Sequence, residues 1–183
     1  MAIATASAPA TERKGGTTFK GHPLTLIGPQ LTVGTKAPEF QALGQDLSPV
    51  TLDRFKGKTV LISVVPSLDT PVCEAQTRRF NAEAATLPQV QVLAISMDLP
   101  FAQKRWCGAA GIDRVTVVSD HKDASFGTAY GTLIKELRLL SRAIFIVDSA
   151  GTIRYVEYVP EVTSHPNYDA ALAAARQLAA SVA

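Results

Sequence analysis

Thr59–Val65 (TVLISVV) running into Pro66–Cys73 (PSLDTPVC) decides the fold. The first run is apolar or β-branched at almost every position, as expected of a strand buried on both faces of a parallel sheet. Pro66 interrupts it. Thr70 precedes a proline, which pushes it out of the helical region and suits it to an N-cap. Pro71 suits the first helical position. A buried strand followed directly by a helix is therefore predicted, with the helix running from Pro71 to about Leu87 and Cys73 at its third position.

The same pattern repeats outward. Val90–Ser96 (VQVLAIS) reads as a second buried strand, and Pro100–Cys107 as a short helix stopped by Gly108. Val115–Ser119 is a third strand, and Ala124–Tyr130 a short helix ending at Gly131. Ala143–Val147 and Ile153–Val159 flank Asp148–Gly151, a hairpin signal, and Asn167–Ala180 is an Ala-rich helix. Upstream, Gly34–Phe40 is loop-like, and Thr17–Lys20 and Leu24–Ile27 read as a small hairpin about Gly21–Pro23. The order specifies an α/β protein with a mixed central sheet flanked by helices and an N-terminal β-hairpin. One domain is expected over residues 17–183, preceded by a disordered tail over residues 1–16.

Composition narrows the function. The 183 residues are 46% hydrophobic and 19% charged, with a net charge of only +2 and dispersed basic residues. That balance argues against a nucleic-acid or anionic-membrane surface as the main partner. No apolar run reaches the length of a membrane span. Met1–Gly16 has neither a leading positive cluster nor an aliphatic core, so it lacks the parts of a secretory signal, and a cytoplasmic protein is expected. His22, His121 and His165 share no metal-ligand spacing with the two cysteines. Gly57-Lys58-Thr59 resembles the end of a phosphate-binding loop, but the earlier glycine is missing and the segment precedes a strand.

The two cysteines remain as the candidate chemistry. In a reducing compartment they are either inert thiols or a redox pair. At the opening turn of a helix Cys73 would face unpaired backbone N–H groups and the positive end of the helix dipole, which favour a thiolate. The alternative is a small hydrophobe packed at a helix start. Cys107 closes a helix, where the dipole disfavours a thiolate, so Cys73 is expected to attack first and Cys107 to respond. The alternative for Cys107 is an inert buried thiol. Cys107 lies a full helix from its strand, on the order of 10 Å, whereas disulfide geometry needs Cα atoms within about 7 Å. At least one of the two helices must then partly unwind for a bond to form. Arg142 opens the strand Ala143–Val147 and is either a solvated flanking charge or a fixed cation beside Cys73. The second requires that strand to run antiparallel to Thr59–Val65. Thr70 is expected to cap the helix whatever the function, and its hydroxyl could also bond the thiolate or its substrate.

At these residues the chain resembles the peroxiredoxins, whose signature of Pro, three residues, Thr or Ser, two residues and Cys is matched by Pro66, Thr70 and Cys73. It looks most like their thiol peroxidase subgroup, the atypical two-cysteine enzymes of bacteria. The match is carried by PSLDTPVCEAQTRRFN (66–81), SMDLPFAQKRWC (96–107), SDHKDASFGTAYG (119–131), SRAIFIVD (141–148) and YVEYVPEVTSHPNYDAAL (155–172). The resemblance implies a thioredoxin-like fold and reduction of hydrogen peroxide and organic hydroperoxides. It implies Cys73 as peroxidatic cysteine, Cys107 as the resolving one in an intrachain disulfide, Thr70 and Arg142 as the activating pair, and Pro66 shielding the thiolate. It also implies a homodimer recycled by thioredoxin, with no metal or prosthetic group. Trp106 stands where phenylalanine is expected, and Val65 is an unusual neighbour of the motif proline. Two other functions share parts of the pattern. A protein thiol–disulfide oxidoreductase would need Cys-x-x-Cys, but Cys73 is followed by Glu74, Ala75 and Gln76. A non-enzymatic redox sensor would use the same disulfide as a switch.

Overall fold

The structure is a computed structural model that describes residues 11–180. In chain order the strands are β1 (Glu12–Phe19), β2 (His22–Ile27), β3 (Gln41–Leu43), β4 (Pro49–Thr51), β5 (Thr59–Val64), β6 (Val90–Ser96), β7 (Thr116–Ser119), β8 (Leu133–Ile134), β9 (Leu139–Leu140), β10 (Ala143–Val147) and β11 (Ile153–Tyr158). The helices are α1 (Pro71–Ala84), α2 (Pro100–Ala110), α3 (Ser125–Ala129) and α4 (Tyr168–Ala180).

The main sheet has the order β11-β10-β5-β6-β7-β3-β4, and a smaller sheet the order β1-β2-β8-β9. β5, β6 and β7 are parallel, and α1 and α2 are their crossovers. β10 runs antiparallel to β5 with Ala143 opposite Val64, and this register brings Arg142 to the end of β5 from which α1 departs.

Because side chains alternate across a strand, each central strand feeds two cores. Val60, Ile62 and Val64 join Phe126, Tyr130 and Phe145 on the α3 side. Leu61 and Val65 join Phe80, Ala171, Leu172, Cys73 and Cys107 on the side covered by α1, α2 and α4. Both cysteines therefore belong to one layer.

Several boundaries differ from the sequence expectation. β1 begins at Glu12, so the expected tail is ordered strand from Glu12 to Gly16, and the expectation for residues 1–10 lies outside the described residues. A register shift between Arg13 and Thr17 accommodates Gly15 at φ 65°, which is how a Gly-Gly pair sits in a strand. α2 does not stop at Gly108. It continues to Ala110 and ends on left-handed Gly111, whose N–H donates to the Cys107 carbonyl. α1 ends at Ala84, three residues before Leu87, in a series of tighter turns. The third strand starts at Thr116, one residue after Val115. α3 starts only at Ser125, because Ala124 is left-handed at φ 48°. The short strands β3, β4, β8 and β9 were not expected. At two or three residues each they carry too little alternation to register as a period. No helix among the described residues is long and apolar enough to cross a membrane.

Candidate active site

Cys73 occupies the third position of α1, after Thr70 at the N-cap and Pro71 at the first helical position. It is fully buried. Thr70 has the extended backbone of an N-cap (φ −136°, ψ 146°), yet its hydroxyl makes no capping bond and donates instead to the Ser67 carbonyl at 3.1 Å. The hydroxyl has no hydrogen bond to the Cys73 sulfur in this state.

Arg142 decides between its two expected settings. It is 2% exposed and is no solvated flanking charge. Its Nη2 donates to Cys73 Sγ at 3.3 Å and to the Val162 carbonyl at 2.9 Å. Nε also donates to Val162 O, at 3.1 Å, and Nη1 donates to Gln76 Oε1 at 2.6 Å. Among the described residues no carboxylate forms an ion pair with it. A buried cation without a counter-charge is costly. Among its hydrogen-bonded partners, Val162, Gln76 and Cys73, the one that can ionise is the Cys73 sulfur.

Gln76 was not singled out by sequence reasoning. One helical turn beyond Cys73, it is fully buried, accepts from Arg142 and donates from Nε2 to Ser63 Oγ at 2.7 Å. Ser63 is the single polar residue within β5 after Thr59, and that break in an apolar run was the available signal. Asp98 was missed as well. It accepts from Ser67 Oγ (2.7 Å), Leu68 N (2.8 Å) and Ser96 Oγ (2.7 Å), which fixes the loop before α1 to the end of β6.

Pro66 is buried and, with Thr70 and Arg142, lines an almost wholly apolar pocket of about 370 Å³ completed by Phe19, Leu137 and Leu139. Cys73 does not line the pocket; its sulfur lies behind this wall, in contact with Arg142.

Cys107 is 6% exposed and, like Cys73, a free thiol. Its sulfur accepts from Gln45 Nε2 at 3.3 Å. Burial pushes its pKa up, opposed by the Gln45 amide and by a backbone N–H. The structure thus brings Pro66, Thr70, Cys73 and Arg142 into one site. Cys107 sits in the same core layer, on the neighbouring helix, and is not bonded to Cys73.

The family model described as Redoxin matches residues 32–172. The chain belongs to that family. It is 60% identical over 159 residues to a thiol peroxidase of Halalkalibacterium halodurans, covering 87% of this chain and 96% of that one. It is 56% identical over 161 residues to a thiol peroxidase of Bacillus subtilis, covering 88% and 96%. Among solved structures, a peroxiredoxin-like protein from Aquifex aeolicus superposes with a TM-score of 0.84 at 42% identity, covering 93% of this chain and 99% of that chain. The fold is therefore the thioredoxin-like fold of the peroxiredoxins, as the sequence motifs implied.

Proposed function

We propose that this chain, a thiol peroxidase, reduces hydrogen peroxide and organic hydroperoxides with the Cys73 thiolate, and that an intrachain disulfide with Cys107 completes the oxidative half of the cycle. The observation that carries this reading is the buried Arg142 guanidinium, 3.3 Å from Cys73 Sγ and without a carboxylate partner. A thiolate there meets a fixed cation and, at the first turn of α1, the positive end of a helix.

The thiolate attacks one peroxide oxygen in line with the O–O bond. That oxygen stays on sulfur as a sulfenic acid, and the other departs as water or an alcohol once protonated. Arg142 stabilises the charge that builds on the leaving oxygen. The apolar pocket beside Pro66 suits the alkyl group of an organic hydroperoxide. Cys107 then condenses with the sulfenic acid. The disulfide is worth roughly 3–4 kcal/mol of chain entropy before native strain, and strain from opening a helix keeps it reducible.

Thioredoxin is the proposed reductant, through a mixed disulfide. A cytoplasmic homodimer without metal or prosthetic group fits the family pattern. Steady-state turnover of several peroxides, coupled to thioredoxin, tests the whole cycle. Continued turnover beyond about one equivalent only with a dithiol present supports it, and no consumption refutes it. A protein disulfide reductase is disfavoured because Gln76, not a cysteine, stands three residues after Cys73, so the Cys-x-x-Cys pair is missing; such an enzyme would instead reduce insulin.

A further inference from the structure

We propose that Gln45, Arg78 and Asn81 are positioning residues that clamp the C-terminal end of α2, hold Cys107 in its reduced-state place, and so set how fast the Cys73–Cys107 bond closes. The inference rests on the cysteine roles proposed above.

The end of α2 contains Gly108 and has no basic residue in its last turn. A glycine inside a helix weakens it. Left-handed Gly111 caps the helix by donating to the Cys107 carbonyl, and further support comes from outside, on two sides. One side is the turn joining β3 to β4. Gly44 N donates to Ser48 O at 2.8 Å and Leu47 N to Gly44 O at 3.0 Å. The Asp46 carboxylate accepts from both Ser48 N and Ser48 Oγ. β3 pairs with β7, the strand that follows α2, through Leu43 and Ser119. This fixed turn presents Gln45, whose Nε2 donates to Cys107 Sγ.

The other side is α1. Arg78, held by Glu74 at 2.8 Å, donates from Nη1 to the carbonyl of Ala110, the last residue of α2, at 2.7 Å. Asn81 Oδ1 accepts from Arg114 N at 2.9 Å and Asp113 N at 3.3 Å, just beyond the helix end. The clamp thus grips the cysteine itself, the helix terminus and the segment after it.

These bonds exist with both thiols buried and unlinked. Bond closure needs Cα atoms within about 7 Å; with α2 partly unwinding to bring Cys107 to Cys73, as the sequence leads us to expect, every tie that favours the helical state slows closure. In the closing step the Cys107 sulfur attacks the sulfur of the Cys73 sulfenic acid. An S–S bond forms as the S–O bond breaks, and the departing hydroxide takes the Cys107 proton to become water. Until then the sulfenic acid is open to a second peroxide, which converts it irreversibly to sulfinic acid. The clamp therefore also sets the peroxide level at which the enzyme inactivates itself.

The test uses the full-length reduced protein and its Gln45→Met, Arg78→Ala and Asn81→Ala variants, mixed with hydrogen peroxide in stopped flow. Trp106, the only tryptophan and the neighbour of Cys107, reports the conformational step. Mass spectrometry counts disulfide and sulfinic acid. The peroxide-dependent first phase should stay within about twofold of the parent. The peroxide-independent second phase should accelerate about three- to tenfold in each variant, the size expected for one hydrogen bond, and sulfinic acid should fall in proportion. Melting temperatures that drop while the second phase keeps its rate, or slows, would overturn the clamp and leave these residues merely structural. If the parent forms no disulfide at all, the cysteine assignment fails first and the clamp with it.

Discussion

Cys73 and Cys107 pack in one apolar layer and are both buried, yet their neighbours differ in kind. Cys73 opens a helix and touches a guanidinium. Cys107 lies near the end of a helix and touches a neutral amide. Burial disfavours a thiolate at Cys107, and only Cys73 has a full positive charge beside it. The lesson is that burial alone says little about a cysteine. On the proposed roles, the charge carried by the nearest donor separates the sulfur that attacks from the one that waits.

The largest effects come from exchanging the two sulfurs for oxygen. Cys73→Ser should abolish peroxide reduction, whereas Cys107→Ser should still consume about one equivalent and stop at sulfenic acid. Peroxide titration with mass spectrometry separates them. Turnover surviving in Cys73→Ser would invert the comparison.

Next is the cation. Arg142→Ala should slow the first oxidation by about 10²-fold or more, by analogy with loss of an oxyanion donor. Arg142→Lys should recover only part of the loss, because a lysine cannot reach Cys73, Gln76 and Val162 together with one rigid fork. Stopped-flow oxidation rates measure both. Gln76→Leu should act through Arg142. It leaves Nη1 and Ser63 Oγ without their partner, slows the peroxide step by about tenfold and destabilises the fold by about 1–3 kcal/mol. Urea denaturation gives the second figure, and an unchanged oxidation rate beside a lowered stability would mean that Gln76 only packs.

Much of this contrast was legible in the sequence. A β-branched run, a proline-bounded loop and a cysteine at the third helical position fixed where Cys73 lies, because each is a local signal. The antiparallel placement of β10 was a stated condition for Arg142 to reach the site, and Ala143 opposite Val64 meets it. The partners of the reacting groups were not legible. Gln76 looks like any polar residue on a helix until Ser63 and Arg142 are seen on either side of it. Gln45 lies 62 positions from Cys107 in a turn between two three-residue strands, and no local pattern announces such a contact. The end of α2 was misplaced for a related reason. Gly108 is a permissive residue inside a helix whose terminus is fixed by Arg78 and Gly111.

The smallest expected effect tests the comparison through stability. Burial raises the Cys107 pKa, so the folded state prefers the protonated thiol more strongly than the unfolded chain does. The stabilisation is therefore complete below the unfolded pKa of about 8.5 and is lost as pH rises through the higher folded value. Cys107→Ala should be less stable than the parent near neutrality because it leaves a small cavity. The gap in melting temperature should narrow as pH rises from about 8 to about 10, since only the parent carries this titration at position 107. Gln45→Met should narrow its own gap to Cys107→Ala more steeply still, because losing the amide donor moves the folded pKa further up. A gap that stays constant with pH would mean that Cys107 is no more reluctant to ionise than an exposed thiol, and the electrostatic distinction between the two sulfurs would then rest on Arg142 alone.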